Sequence, residues 1–426
     1  MSRPTLWALT SGLVVAELAC ASPRSPAQRA PVVAYTNAHC FTGRAFAPCS
    51  LFVSAGRFIS PVDRPDSIVD LAGRWVVPPF GEAHNHNVEE SGRLDAVLAA
   101  YRRAGVFYVQ NPNSLPTARA ALAARRADYH APDVTFANGG LTGPGGHPGQ
   151  IATAMIARGS WTAADGEGAF YHTVTDVASL DAAWRTLLAT EPELVKVYLL
   201  YSDEYAARLA DTSKVGWRGI DPALLPEIVR RARNAGVRVA AHVETAADFR
   251  TAVRAGVDMI AHLPGFRGDE RTSLPGVERF MLTAEDAREA ARKRVIVVTT
   301  ASGLDRYASE QRDNVLRKSA DRLHRANLTL LHDAGVRLAI GSDEYEDTSV
   351  AEALYLSRLY IFTKAELLEM WTETTPQAIY PARKIGRLER GFEASFLVLD
   401  VDPLVDFTAV YRIQRAVARG RELPRQ

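Results

Sequence analysis

From residue 75 onward, the sequence alternates short, apolar, β-rich runs with stretches of helical pattern. Eight runs are typical of strands: RWVVPPF, GVFYVQN, DVTFANG, LVKVYLL, VRVAAHV, VDMIAHL, VIVVTTA and RLAIGSD. Several helical stretches end in Ala-Gly followed by Val, as at Gly236, Gly256 and Gly335, and a glycine there stops a helix before the next strand opens. Eight strand–helix units in one chain predict an α/β fold of the (β/α)8 TIM-barrel type over an open doubly wound sheet.

The segments on either side of these units have a different pattern. Residues 32–78 and 376–426 are typical of short strands and turns, as in SLFVSAGRFIS and ASFLVLDVDP. Because neither segment is long enough for a good core alone, we predict that both chain ends form one small β-sandwich domain. It would lie beside a barrel that spans residues 79–375. A chain of 426 residues has the length for a large barrel plus a smaller domain.

The composition excludes one class of partner. The chain is 47% hydrophobic and 23% charged with a net charge of +1, which is ordinary for a soluble globular protein. A nucleic-acid partner would need a strongly basic face. The one compact basic run, ARKR at residues 291–294, ends a helical stretch, where positive charge suits the helix dipole. We therefore expect no nucleic-acid partner.

The N-terminus predicts export. TLWALTSGLVVAELA follows Arg3, is too short to span a bilayer and contains Glu17. The small-residue segment ACAS after it fits a cleavage site, so residues 1–21 are predicted to be a signal peptide and residues 22–31 a flexible linker. The protein would then be secreted or periplasmic, without a transmembrane span. Lipid anchoring through Cys20 is a weaker alternative, since Glu17 is unusual in a lipoprotein signal.

Two further cysteines lie close together after the linker. Cys40 and Cys49 occur in HCFTGRAFAPCS, which resembles two short strands around a turn. In an exported protein such a pair can form a local disulfide. The residues alone leave open whether they pair or are two ordinary small side chains in a hairpin.

Polar residues interrupt the apolar runs at one end of the predicted strands, where the chemistry of such barrels collects. They are His84, His86, Lys196, His242, His262 and Asp343. His84 and His86 are one residue apart, so both imidazoles would project from the same strand face. Each residue alone has an ordinary explanation, such as a satisfied rim histidine, a helix cap or a snorkelling lysine. Together, in a chain with ten histidines, they predict a metal site, with zinc the expected ion.

The chain resembles the amidohydrolase superfamily, binuclear-metal barrels that include imidazolonepropionases and prolidase-like dipeptidases. The segments VVPPFGEAHNH, LVKVYLL, AAHVETAADFRTAVRAGVDMIAH and GVRLAIGSDEYEDT match its successive ligand blocks, and TTPQAIYPARKIGRLERGFEASFLVLDVDPL is similar to its closing segment. The resemblance covers nearly everything after the linker. It departs at Gly81-Glu82, where the family commonly has an aspartate-containing turn, and at Ala394-Ser395, which replaces a usual Ala-Asp.

The resemblance implies a role for each ligand. His84, His86 and Asp343 would hold the more buried of two divalent ions, and His242 and His262 would hold the other. Lys196, carboxylated by carbon dioxide, would bridge both ions.

The implied roles agree with elementary chemistry. Two divalent ions that share a water lower its pKa enough to supply a bridging hydroxide near neutral pH. Asp343 would act as general base and acid, accepting the water's proton and returning it to the leaving nitrogen. An ammonium at Lys196 would be repelled by two cations, whereas a carbamate offers two oxygens that can bridge them.

We therefore expect a secreted hydrolase of amide or peptide C–N bonds that acts on a small amide or a dipeptide. His147, Tyr198 and Tyr201 are candidate substrate contacts, although rim packing explains the two tyrosines equally well. Arg218 or Arg267 could bind a substrate carboxylate. A lactonase or phosphotriester hydrolase on the same metals is the alternative enzyme, and a non-catalytic metal-binding barrel is the alternative outside enzymes. A homo-oligomer is compatible with the sequence.

Overall fold

The computed structural model describes residues 29–89, 92–125, 132–265 and 277–424. The predicted signal peptide, Cys20 and residues 22–28 of the predicted linker lie outside the described residues, as does Arg267. Within the described ranges, no helix is both long enough and apolar enough to cross a bilayer.

Seventeen strands occur in the described residues. They are β1 (Val33–Phe41), β2 (Phe46–Ser54), β3 (Arg57–Ile59), β4 (Ser67–Val77), β5 (Phe80–Glu82), β6 (Val106–Ser114), β7 (Asp133–Asn138), β8 (Gly140–Thr142), β9 (Tyr171–Thr173), β10 (Leu194–Tyr198), β11 (Arg238–His242), β12 (Met259–Ile260), β13 (Ile296–Val298), β14 (Arg337–Ala339), β15 (Phe396–Leu399), β16 (Ile413–Ala418) and β17 (Arg421–Glu422).

The helices lie mainly between strands β5 and β15. They are α1 (Leu94–Arg103), α2 (Pro116–Ala123), α3 (Gly149–Ala157), α4 (Val177–Leu188), α5 (Tyr205–Ala210), α6 (Leu225–Ala235), α7 (Ala246–Ala255), α8 (Ala284–Arg292), α9 (Ser302–Glu310), α10 (Asn314–Asp333), α11 (Ser349–Arg358), α12 (Lys364–Glu369) and α13 (Thr375–Ile379). A π-helical turn, Met370–Thr374, joins α12 to α13. Gly236 and Gly256 follow α6 and α7 with φ of +70° and +81°, the left-handed geometry that ends a helix.

Strands from both chain ends pair in one seven-stranded mixed sheet, in the order β17-β16-β15-β4-β1-β2-β3. The join is the antiparallel pair of β4 with β15, in which Val77 lies opposite Leu397. The edge of the Tyr35 ring packs on Phe396 at a centroid distance of 4.9 Å. The N-terminal and C-terminal strands thus share one apolar core.

Cys40 and Cys49 are joined by a disulfide across the β1–β2 hairpin. Their strands pair antiparallel, with Ala38 opposite Cys49 and Cys40 opposite Ala47. The Cα atoms of the two cysteines are 5.7 Å apart, within the usual range for a disulfide. The bond closes a loop that the β-ladder already holds together.

The remaining strands form two parallel sheets. One has the order β14-β13-β12-β11-β10-β8-β9 and the other the order β5-β6-β7. Backbone hydrogen bonds connect them: Ala83 N donates to Ile340 O (2.9 Å) and Glu193 N to Phe136 O (3.0 Å). Ala83, Tyr108, Leu194, Ala240, Met259, Val298 and Ala339 belong to one buried apolar cluster drawn from both sheets. The predicted α/β fold with parallel strands and a separate β region is therefore confirmed.

The structure differs from the predicted strands in two places. The run RWVVPPF is divided, because its end after Pro78-Pro79 starts β5, while its beginning belongs to β4 of the other sheet. Proline lacks the N–H that a continuous ladder needs. Strands β8 and β9 were not predicted. Gly139, with φ of +85°, separates β7 from β8, and a Cβ there would lie 2.6 Å from Ala169 O.

His324, on α10, is fully buried and makes stability depend on pH. Its Nδ1 lies 2.8 Å from the Tyr355 hydroxyl, and burial lowers the His324 pKa from 6.5 to about 4. As pH falls below 6.5, the unfolded chain binds a proton that the folded chain does not. The contribution of neutral, buried His324 to the free energy of unfolding is therefore full above pH 6.5 and is lost progressively as pH falls toward 4.

The wild type should lose about 2–3 kcal/mol of its free energy of unfolding through His324 between pH 7.5 and 4. We expect His324→Gln to lose that much less over the same pH range. Urea unfolding of both proteins between pH 7.5 and 4 measures the difference. An identical pH dependence in the variant would contradict the assignment to His324.

Candidate metal centre

Five of the six candidate ligands lie at or just beyond the carboxyl ends of parallel strands, and the sixth lies inside one. His84 and His86 follow β5, Lys196 lies within β10, His242 ends β11, His262 follows β12 and Asp343 follows β14. The strands are short, so all of these residues except Lys196 lie where the ladder gives way to a loop, whereas Lys196 lies opposite Ala240 inside it. The parallel direction of the strands then brings these side chains together.

The centre is built around His84, His262 and Asp343, each of which offers one ligand atom within 4.8 Å of the others. Asp343 Oδ1 lies 3.7 Å from His84 Nε2 and 3.6 Å from His86 Nε2. Because these distances exceed hydrogen-bond range, the carboxylate and the two imidazoles face a common space without bonding to each other.

The other two candidates extend this group. The His262 ring lies between His84 and His242, at centroid distances of 4.5 Å to each. Lys196 is fully buried, and burial lowers its pKa to about 7, although the negative charge of Asp343 acts in the opposite direction. The structure therefore places Lys196 in the electrostatic field of the histidine group.

Buried polar atoms that lack a hydrogen-bond partner show whether these side chains could bind a metal ion. Both ring nitrogens of His84 and the Nζ of Lys196 are buried and have no hydrogen-bond partner among the described residues. Leaving such an atom unsatisfied costs about 1–3 kcal/mol. Burial also lowers the pKa values of His84 and His262 well below the usual range, which keeps the imidazoles in the neutral form that binds metals. The donor set therefore fits divalent metal ions.

Neighbouring residues hold two of the rings from behind. His86 Nδ1 contacts Glu89 Oε1 at 2.8 Å and the backbone oxygen of Asn113 at 3.0 Å. His262 Nδ1 lies 2.9 Å from Thr300 Oγ1. These contacts leave Nε2 of each ring facing the shared space, as is usual for metal-binding histidines.

Glu82 connects the two segments that carry His84 and Asp343. Ser342 donates to the Glu82 carboxylate from its N and its Oγ, both at 2.8 Å. Burial raises the Glu82 pKa to about 8, against the effect of these hydrogen bonds. Sequence reasoning gave Glu82 no role. The sequence feature that could have indicated a role for Glu82 is its position: a charged residue at the end of an apolar run, two positions before a histidine.

Asp343 has an uncommon backbone conformation, with φ of +53°. Its N–H donates to His84 O at 2.8 Å, so the turn that carries Asp343 is bonded to the β5 end. Left-handed backbone is rare for residues other than glycine, with aspartate and asparagine among the exceptions.

The candidate substrate contacts divide into two groups. His147 and Tyr198 lie beside the centre, since the His147 ring is 5.2 Å from that of His242 and 5.0 Å from that of Tyr198. Tyr201 is fully buried, with the Arg208 guanidinium 3.5 Å from its ring centroid. The structure thus brings His147 and Tyr198 beside His242, a candidate ligand, and packs Tyr201 against Arg208.

Arg218 has a structural position. Its Nη1 donates to the backbone oxygens of Arg208 (2.7 Å) and Leu209 (2.9 Å). A guanidinium bonded in this way has less freedom to turn toward a substrate carboxylate.

The geometry agrees with the comparisons with known proteins. The profile of the Amidohydrolase family matches residues 200–423, which is more than half of the chain. The chain belongs to the amidohydrolase family. The matched region contains His242, His262 and Asp343, and membership supports a metal-dependent hydrolase. A search of curated protein sequences finds no match.

Solved structures share the family fold. An amidohydrolase of known crystal structure has 20% sequence identity to this chain, and the two structures superpose with a TM-score of 0.73 over 93% of this chain and 99% of that chain. A prolidase complexed with N-methylphosphonate-L-proline is 19% identical, with a TM-score of 0.72 over 93% of this chain and 100% of its own. A Xaa-Pro dipeptidase with methionine bound in its active site is 15% identical, with a TM-score of 0.72 over 92% and 100% of the two chains. The predicted amidohydrolase resemblance is confirmed.

Proposed function

We propose that this amidohydrolase is a secreted enzyme that hydrolyses amide or peptide C–N bonds in small substrates, using two divalent ions, expected to be zinc. The observation that carries the proposal is the group of His84, His262 and Asp343 within 4.8 Å of one another. The amidohydrolase, prolidase and dipeptidase of similar fold support it. We also propose that the parallel strands close into a (β/α)8 barrel over residues 79–375, with residues 32–78 and 376–426 forming the β-sandwich domain.

Each candidate ligand has a place in this centre. His84, His86 and Asp343 would hold one ion, and His242 and His262 the other, with Lys196 between them. Bound divalent ions supply Lewis-acid polarisation of the scissile carbonyl and a lowered pKa of water.

Lys196 would take part as a carbamate. The neutral amine attacks carbon dioxide, an N–C bond forms, and one proton is released to leave a carboxylate with two oxygens. The low pKa of Lys196, about 7, makes the reactive neutral amine available near neutral pH. The carbamate replaces a positive charge with a negative one inside the centre.

Asp343 would move the proton. Its carboxylate accepts a proton from the attacking water and donates it to the leaving nitrogen, which departs as a neutral amine. Tyr198 and His147, beside the His242 ring, would contact the polarised carbonyl or the substrate. Because the surrounding residues are buried, water competes little for these contacts.

A substrate panel tests the proposed function. Zinc-loaded protein would be assayed with dipeptides, N-acyl amino acids, cyclic amides, lactones and a phosphotriester, with His84→Ala as the control. We expect turnover of one of the three C–N classes by the wild type and none by the control. Turnover confined to lactones or the phosphotriester would replace the amide proposal, and metal-loaded protein inactive on the whole panel would favour a binding barrel.

Export makes a separate prediction. If ACAS is cleaved, exported protein should begin near Ser22, and Cys40 and Cys49 should resist alkylation until a reductant is added. Intact-mass analysis before and after reduction measures both. Exported protein that retains Met1 would contradict cleavage, and two thiols alkylated without reductant would contradict the disulfide.

A further inference from the structure

Glu244 is a fully buried carboxylate to which the sequence prediction assigned no role. It lies two residues beyond His242, the last residue of β11. In extended chain, residues two apart project to the same side. Glu244 therefore follows His242 toward the metal centre.

Distances between carboxylates and imidazoles in this centre fall into two classes. Glu89 is 2.8 Å from Nδ1 of His86, a hydrogen bond that holds the ring from behind. Asp343 is 3.6–3.7 Å from Nε2 of His86 and His84. The longer distance is near the separation of about 3.4 Å between ligand atoms around one tetrahedral ion, given metal–ligand bonds of about 2.0–2.2 Å.

Glu244 belongs to the second class. Its Oε2 lies 3.7 Å from Nε2 of His242, the distance that Asp343 keeps from His84. This separation is too long for a good hydrogen bond. The pair therefore has the spacing of two atoms on one ion, and differs from the Glu89–His86 pair.

The backbone around Glu244 is held in place from two sides. Its N–H donates to Asp248 Oδ2 at 3.1 Å, and its carbonyl oxygen accepts from Gly265 N at 2.8 Å. Asp248 also accepts from Thr245 N, and Gly265 lies in the loop that carries His262. Glu244 is thus tied to both ligand loops, which favours a preorganised position for its carboxylate.

Charge favours the same role. A divalent ion at His242 and His262 would attract a carboxylate at the distance that Glu244 keeps from His242. Carboxylate oxygen combined with imidazole nitrogen is a ligand set that zinc and other first-row divalent ions accept.

We infer that Glu244 is an additional ligand of the ion held by His242 and His262. The inference rests on the proposed two-metal centre. It adds one negatively charged oxygen ligand, so this ion has an imidazole and carboxylate environment more like that of the ion at His84, His86 and Asp343.

The inference is tested by measuring metal affinity in the absence of substrate. Apoprotein of the wild type and of Glu244→Gln would be titrated with Co²⁺, with the affinity of each equivalent measured by chelator competition and the visible spectrum recorded. We expect Glu244→Gln to bind one equivalent normally and the other at least about tenfold more weakly, with a changed spectrum for the weaker site. Glu244→Asp should show an intermediate affinity.

Glu352→Gln is the matched control. Glu352 is also a fully buried glutamate, but its carboxylate accepts from the backbone N–H groups of Ala301 and Ser302. This variant should keep both affinities and the wild-type spectrum.

Two outcomes would overturn the inference. Wild-type affinities and spectrum in Glu244→Gln would remove Glu244 from the centre. Weakened binding with an unchanged spectrum would make it a positioning residue behind His242. Because no substrate is used, failure of the substrate panel would leave this result standing, and failure here would leave the hydrolase proposal standing.

Discussion

Lys196→Ala should lose the second metal equivalent and nearly all hydrolysis, and a small carboxylate should restore part of both. Lys196 is fully buried at the centre, and its ammonium form would be repelled by two divalent ions even at an effective dielectric of about 20. If Lys196 acts as a carbamate, its removal leaves a space for one small carboxylate. Metal content and turnover would be measured with and without excess formate or acetate.

Lys196→Met is the control for this prediction. Methionine fills most of the lysine's volume without an amine, so it should lose metal and activity as alanine does. Formate should not rescue it, because the space stays occupied. In addition, wild-type protein prepared without carbon dioxide should take up metal poorly until bicarbonate is supplied. Two tightly bound ions and normal turnover in Lys196→Ala, with no added acid, would exclude Lys196 as a ligand that both ions share.

Asp343→Asn should keep much of the metal but lower turnover by roughly 10²–10⁴-fold, the usual contribution of a general acid–base group. The amide oxygen of asparagine can still face the ligands, but the side chain cannot accept and return a proton. Asparagine also tolerates the left-handed backbone at this position, where φ is +53°. The fold should therefore survive, and thermal unfolding would verify that it does.

Two comparisons separate proton transfer from metal binding. His84→Ala and His242→Ala should lose metal and activity together. Asp347→Asn changes a nearby acid whose carboxylate accepts from Thr348 N, and it should retain activity within a few-fold. Turnover of Asp343→Asn close to that of the wild type would exclude Asp343 from proton transfer.

The sequence predicted the family and the class of fold because both depend on local patterns. Apolar runs alternated with helical stretches, and glycines such as Gly236 and Gly256 marked the helix ends. The polar residues that interrupt the runs, such as His84 and Asp343, were visible for the same reason. Parallel strands then place such residues at one edge without further information.

The sequence was less informative where backbone geometry decided the outcome. Pro78-Pro79 divided one predicted strand between two sheets, and Gly139 precedes β8, a strand that the sequence did not predict. Tyr198 and Tyr201 had the same interpretation in the sequence. They separate in the structure because the chain turns at Tyr201, with φ of +50°, and packs that ring against Arg208.

By itself, the sequence determined the amidohydrolase family, the parallel α/β fold and the polar residues that interrupt the predicted strands, since periodicity and residue type are local properties. Only the tertiary structure decided which side chains face one another. The Glu82–Ser342 bonds, the Glu89 contact behind His86 and the position of Glu244 beside His242 depend on distances of a few ångströms. The first of these contacts joins segments 260 residues apart in the chain, and the other two depend on how the loops after β5 and β11 fold back. No periodicity encodes such distances, because they result from how the strands and loops pack in three dimensions.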